Sequence, residues 1–402
     1  MKKFLLVIVI IFLISTFFIV DKKLKDKSYG DDIVLNSNIE EHRAIFISYL
    51  EYQSLLLGKD ESSMKEAIDL MFENMQNDGF NMAIVHVRSF SDAIYESDIF
   101  PSSMTIVEKE GDKLPFDILE YMINSAHTKN IEIHAWINPY RIRNTDDIST
   151  ISLSNPAYRL LNTNHVKIIN DKGIFYNPAS GVVLELILSG ISEIIENYDI
   201  DGIHFDDYFY PDDSIDLVNY LNYKEQGGFL SLNEYHLEQV NKLVLEVYKL
   251  IKAKDQSILF GISPEGNIDN NYEMNYADTR TWASNSNYVD YLMPQIYFGF
   301  ENERKPYLET VKMWNDLITT DTVKLMPALA FYKVGEIDNN ALSGMNEWVL
   351  NDDIIKKEVL VSRNLSNYQG FALFRYSYLY LDDYYTETTM NEINNLLDIF
   401  DE

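Results

Sequence analysis

From residue 41 onward, short apolar runs rich in β-branched residues alternate with stretches whose apolar positions recur every three or four residues. The first pattern predicts buried strands and the second predicts amphipathic helices, so the chain has the rhythm of successive βα units around a parallel sheet. The predicted strands are Ala44–Tyr49, Met82–Arg88, Ile131–Pro139, a short one supplied by the stretch Asp199–Pro211, Ile258–Pro264, Val289–Gln295, Lys324–Leu329 and Gly370–Tyr376. Helical spacing is clearest over Met64–Met75, Phe116–His127, Leu237–Ile251 and Met390–Phe400. Eight such units predict an α/β fold, a (β/α)8 TIM barrel with elongated βα loops. A doubly wound open sheet would carry a Gly-rich phosphate turn after an early strand, and the sequence has none. The polar stretch from Tyr140 to Ala179 is a long loop with a hairpin expected near Val166 to Tyr176.

The N-terminus departs from this rhythm. Met1-Lys2-Lys3 precedes an unbroken apolar run from Phe4 to Val20, close to the ~20 residues that span a bilayer. No small-x-small cleavage site follows Val20, which favours an uncleaved signal anchor over a removed signal peptide. The expected organisation is therefore a signal anchor or signal peptide over residues 1–21, a polar linker over 22–40 and one catalytic-size domain over 41–402. That arrangement puts the domain outside the cytoplasm, membrane-anchored or secreted.

Charge and cysteine content narrow the chemistry. A net charge of −30 excludes the basic footprint that a nucleic-acid partner requires. With no cysteine in the chain, disulfides, thiolate metal sites and cysteine nucleophiles are excluded together.

The most informative stretch is Asp199-Ile200-Asp201-Gly202-Ile203-His204-Phe205-Asp206-Asp207-Tyr208-Phe209-Tyr210-Pro211. It reads as a buried strand that delivers two carboxylates and a run of aromatics to its C-terminal end. A solvated Asp-Asp turn would share this sequence, but barrel enzymes build their sites at that end of the strands. Strand parity groups His86 with Arg88, His134 with Trp136 and Asn138, and His204 with Asp206. Three neighbouring strands thus carry a histidine with a functional group two residues further on. The histidines are expected either as a buried polar layer beneath that group or as metal ligands, and no His-x-His or His-Glu-x-x-His spacing supports a metal. The fifth strand ends in Ser263-Pro264-Glu265-Gly266, where Glu265 occupies the position of an acid or base. Glu51, just past the first strand, is a weaker candidate of the same kind. Gln295, Tyr297, Arg375, Tyr376 and Tyr378 follow strands six and eight. Hydroxyl partners and flat aromatic faces around carboxylates are what a sugar requires.

At this point the chain resembles the glycosyl hydrolase-like family 10 group. The matching stretches are Ala44–Glu51, Ile84–Arg88, Ile133–Arg141, Phe175–Ala179, Tyr198–Pro211, Gly261–Asn267, Asp290–Tyr297 and Gly370–Tyr376, with Tyr198–Pro211 the most specific. The resemblance implies a TIM barrel and wall-associated carbohydrate chemistry of a peptidoglycan lytic kind. On that reading the substrate is the β-1,4 bond between amino sugars of peptidoglycan or another wall polysaccharide, without cofactor or metal. Glu265 is expected as the protonated general acid, Asp206 as the ionised carboxylate, and Asp207 as a residue that orients its neighbours. Arg88, Asn138, Gln295 and Arg375 are expected to hold sugar hydroxyls, N-acetyl groups or a lactyl carboxylate. Trp136, Tyr140, Tyr210 and Tyr297 are expected as stacking walls. Two other readings stand beside it: a non-catalytic wall-binding barrel, and a metal-dependent deacetylase or amidase using the histidines.

Overall fold

The computed structural model describes residues 41–400, so the expected anchor and linker lie outside the described residues. Twelve strands are found among the described residues. They are β1 (His42–Ile47), β2 (Met82–Arg88), β3 (Glu132–Ile137), β4 (Arg141–Arg143), β5 (Val166–Ile169), β6 (Gly173–Tyr176), β7 (Gly202–Phe205), β8 (Leu259–Ile262), β9 (Tyr291–Leu292), β10 (Lys324–Leu325), β11 (Ala328–Leu329) and β12 (Gly370–Leu373). Nine of them form one sheet in the order β10-β9-β8-β7-β3-β2-β1-β12-β11, and every pairing in it is parallel. The sheet curls so far that its two end strands are halves of one run of chain. That run breaks at Met326-Pro327, where proline has no N–H for the ladder. The seventh predicted strand is thus two short pieces rather than one.

Helices occupy the outer face of the curl. Gly181–Asn197 is capped by the Ser180 side chain and buries Val183, Ile187, Ile191 and Ile194, one apolar stripe at helical spacing. Leu232–Lys254 begins with a Ser231–Glu234 capping box and buries Val240, Val244, Val247 and Ile251. These stripes pack on the outward residues of the strands, such as Ile45 and Ile47 of β1. The alternate residues, Ala44 and Phe46, join Met82, Ile84, Met293 and Met326 in a second apolar cluster inside the curl. Among the described residues no helix is long and apolar enough to cross a membrane.

The hairpin expected near Val166 to Tyr176 is present as β5 and β6, antiparallel, with Asp171 and Gly173 at positive φ in the turn. Strand β4 pairs with β6 and completes a small separate sheet. A buried ion pair between Arg143 and Glu110 ties this flap to the loop that follows β2.

Candidate active site

The carboxyl ends of the strands of the large sheet surround a cavity of about 350 Å³. Its wall takes Ser48 from beyond β1, His86 from β2, Trp136 from β3, Asp206 and Asp207 from beyond β7, Ser263 from beyond β8, Gln295 and Tyr297 from beyond β9, and Phe374 and Arg375 from beyond β12. A larger hollow of about 740 Å³ lies elsewhere, walled by Glu96, Asp98, Asp112, Asp117 and Glu193, and it takes in none of these strand-end groups.

Asp206 is 4% exposed and its carboxylate receives N–H donors alone. Trp136 Nε1 donates to Oδ2 at 3.1 Å, Asn138 Nδ2 approaches both oxygens at 3.4 and 3.3 Å, and the Tyr208 backbone N–H donates to Oδ1 at 3.2 Å. Burial, reinforced by the neighbouring charge of Asp207, pushes the Asp206 pKa up to about 7. Asp207 is half-buried, and burial together with the charge of Glu265 pushes it up to about 6, against a lowering hydrogen bond from Gln295. Two acids that repel one another at adjacent positions lose their protons in steps that belong to the pair. Such a pair can hold one proton near neutrality.

Beneath the carboxylates lies the histidine layer, and its partners are structural. Tyr291 Oη sits 2.8 Å from His134 Nδ1 and 3.0 Å from His204 Nδ1, while His204 Nε2 meets Ser263 Oγ at 2.9 Å. Burial holds His204 well below the usual imidazole range. The layer needs thin strands around it: a Cβ on Gly202 would overlap the His134 ring, and one on Gly261 the Tyr291 ring.

The structure brings together Asp206, Asp207, Trp136, Gln295, Tyr297 and Arg375, all on the cavity wall. Asn138 stands behind that wall, tied to Asp206 and accepting the Arg141 N–H at 3.2 Å. Arg375 Nε pairs with Glu51 Oε1 at 3.1 Å, and Glu51 also closes the Ser48 capping box, so Glu51 is a brace rather than an acid facing sugar.

Four expected residues lie elsewhere. Arg88 is turned outward by an irregularity in register: His86 pairs with Trp136, yet Arg88 pairs with Ile137. Its guanidinium stacks on the Phe100 ring, 4.1 Å from the centroid, against Gly190 of the helix Gly181–Asn197. Tyr140 is buried in the outer core. Tyr210 is buried there as well, its hydroxyl donating to Asp216 at 2.9 Å. Glu265 extends the sheet through a bridge to Gln295 and its charge is near enough to raise Asp207, but it is not among the residues on the cavity wall. Asn270 donates to Oε1 at 2.7 Å and Asn275 to Oε2 at 3.2 Å. The short helix Ile268–Glu273 carries Asn270, so the turn after β8 captures the side chain that the strand end was expected to present.

Several wall residues escaped strand-by-strand reading. Arg141 faces the cavity with its guanidinium over Phe90 and Tyr208, 5.3 and 5.1 Å from the ring centroids. Tyr49, Tyr332 and Phe374 join Tyr378, which the end of the eighth predicted strand had already supplied, in the aromatic rim. Aromatics within a few residues of a predicted strand end were the available signal, and Tyr332 and Phe374 carry it.

Comparison with known proteins agrees with this geometry. The family model described as glycosyl hydrolase-like 10 matches residues 41–346. Glycosyl hydrolase YngK of Bacillus subtilis (strain 168) is 29% identical over 340 residues, which cover 79% of this chain. The chain spans 64% of that relative's length. Glycosyl hydrolase DigH of Escherichia coli (strain K12) is 29% identical over 332 residues, covering 76% of this chain and 74% of DigH. The solved glycoside hydrolase domain of PgaB (BpsB) from Bordetella bronchiseptica superposes with a TM-score of 0.57 at 11% identity, covering 89% of this chain and 98% of that domain, a likeness of fold. With well over half of its length matched by the family model, the chain belongs to the glycosyl hydrolase-like 10 family.

Proposed function

We propose that this protein is a glycosidase acting on cell-wall glycan, cleaving the β-1,4 bond between amino sugars of peptidoglycan at the cavity above the histidine layer. The curled sheet is then a (β/α)8 barrel completed through the two halves of strand seven, with the site at its carboxyl end. The observation that carries the reading is the pair Asp206 and Asp207, consecutive carboxylates on one cavity wall in different settings. Both carboxyls are raised, so near neutrality the pair shares one proton; the N–H donors on Asp206 favour the form in which Asp207 carries that proton and ionised Asp206 stabilises positive charge at the anomeric carbon. Asp207 is half-buried and raised, which suits the general acid that protonates the departing oxygen. The acid's role thus passes from Glu265 to Asp207, because an acid must reach the leaving group and Glu265 is held by two amides. Gln295, Arg141 and Arg375 would bind sugar substituents, and Trp136 and Tyr297 would bound the ring. The work site is outside the cytoplasm, as the apolar N-terminal run suggests.

The test is incubation of purified peptidoglycan with wild type, Asp206→Asn and Asp207→Asn, followed by mass spectrometry of the released fragments. Wild type is expected to release disaccharide-based products, with reducing ends marking hydrolysis and anhydro ends marking transglycosylation. Intact sacculi after wild-type treatment would overturn the reading, and binding without release would make the protein a wall-binding module.

A further inference from the structure

Two arginines reach the cavity wall, and they are held in opposite ways. Arg375 is satisfied inside the protein: its Nε meets Glu51 Oε1 and Ser377 Oγ, each at 3.1 Å. Arg141 has no such partner. Among the described residues its guanidinium makes no ion pair and donates no hydrogen bond, although the chain carries 63 acidic side chains against 33 basic ones. What holds it is aromatic, with the guanidinium carbon 5.3 Å from the Phe90 centroid and 5.1 Å from that of Tyr208. Its backbone is pinned as well, the N–H donating to Asn138 Oδ1 at 3.2 Å while Asn138 Nδ2 approaches Asp206. Arg88 and Arg143 bury unpaired guanidinium nitrogens, whereas those of Arg141 are open to solvent. Stacking thus occupies the faces of the guanidinium and leaves its N–H edge free. That edge is a planar fork, matched by a carboxylate through two parallel hydrogen bonds.

We propose that Arg141 is a specificity-determining residue of the cavity, pairing with a carboxylate carried by the bound sugar, so that the protein takes an acidic glycan in preference to a neutral one. This deepens the glycan reading of the cavity and rests on it. A neutral sugar that covered the guanidinium would strip its water without matching its charge, which is costly. The charge of Arg141 reaches Asp206 and His86, which sets the contact beside the reacting pair. Near neutrality that pair shares one proton, which limits its repulsion of an incoming carboxylate. The partner is the carboxylate of a lactyl ether or of a hexuronic acid ring, since the fork accepts either.

The experiment is calorimetric titration into the full chain carrying Asp207→Asn, with and without Arg141→Gln, alongside thermal melts. The probes are chitotetraose, the tetrasaccharide of alternating N-acetylglucosamine and N-acetylmuramic acid with free lactyl carboxylates, and a hyaluronan tetrasaccharide, which carries its carboxylates on the ring. The parent is expected to bind an acidic tetrasaccharide about tenfold or more tighter than chitotetraose. Arg141→Gln is expected to erase that preference and leave chitotetraose binding and Tm unchanged. A preference for the muramic probe assigns the lactyl carboxylate, and one for hyaluronan assigns the ring carboxylate. Arg141→Lys, which keeps the charge without the fork, is expected to retain part of the preference and serves as the second variant should glutamine not fold. Equal losses for acidic and neutral probes overturn the carboxylate contact alone, as does a parent that binds all three alike. A parent that binds none of them overturns the contact together with the glycan reading.

Discussion

The indole N–H of Trp136 ends on the carboxylate of Asp206, 3.1 Å away, and joins the stacked wall of the cavity to its buried acid. These residues sit on neighbouring strands, β3 and β7, where Trp136 pairs in register with His204, two residues before Asp206. The hydrogen bond stabilises the ionised form of Asp206. Trp136→Phe removes the donor and keeps much of the ring, so Asp206 is expected to titrate still higher. The measurement is the pH profile of kcat/KM, whose acid limb moves to higher pH as the rate falls by about tenfold or more.

The two assignments for the general acid separate cleanly. If Asp207 donates the proton, Asp207→Asn loses roughly 10²–10⁴-fold in kcat, whereas Glu265→Gln, facing Asn270 and Asn275, loses less than about tenfold. Glycan release assayed on both variants checks this. A Glu265→Gln loss as deep as that of Asp207→Asn would return the acid's role to Glu265.

The raised Asp206 pKa makes stability pH-dependent in a definite direction. Its folded value of about 7 lies above the ordinary carboxyl value of 3.8, so between those limits the unfolded chain has released a proton that the native state retains. Stability therefore falls as pH rises through that window. Asp206→Asn is expected to raise Tm at pH 8, with the gain shrinking toward pH 4, while activity is lost. A series of melts across that range tests it, and a gain independent of pH would contradict the assignment.

Tyr291 bridges two histidines with one hydroxyl. Tyr291→Phe leaves both Nδ1 atoms without that partner and is expected to cost about 1–3 kcal/mol, read as a lower denaturation midpoint. An unchanged midpoint would mean that the layer does not depend on that hydroxyl.

Glu51 holds Arg375 at the cavity wall. Glu51→Ala leaves a buried guanidinium unpaired and removes the Ser48 capping box, so a loss of about 3–5 kcal/mol is expected, with weakened substrate affinity. Thermal melts and KM together check it, and wild-type KM would show that Arg375 does not need the brace.

Much of this architecture was legible in local pattern. The alternation of apolar runs and helical stripes is set by neighbours two to four residues apart, which is why the strand series could be read from the chain. The same parity put Asp206 and Trp136 on the inward face, and the structure has them there. Parity failed at Arg88, because an irregularity in the β2–β3 register turns the side chain toward the helices, and such a shift depends on the partner strand. It could not foresee Glu265 either, since the fate of that carboxylate is set by amides that the following turn folds back upon it.

Sequence alone determined the order of the staves, the end at which acid would gather and the family to which the chain belongs, since periodicity and motif spacing are local properties. Tertiary structure alone decided which carboxylates share the cavity, that Arg141 and Tyr332 join the wall, and that His86 is left unpaired beside Trp136. Those outcomes depend on contacts between residues far apart along the chain, and no local pattern records them.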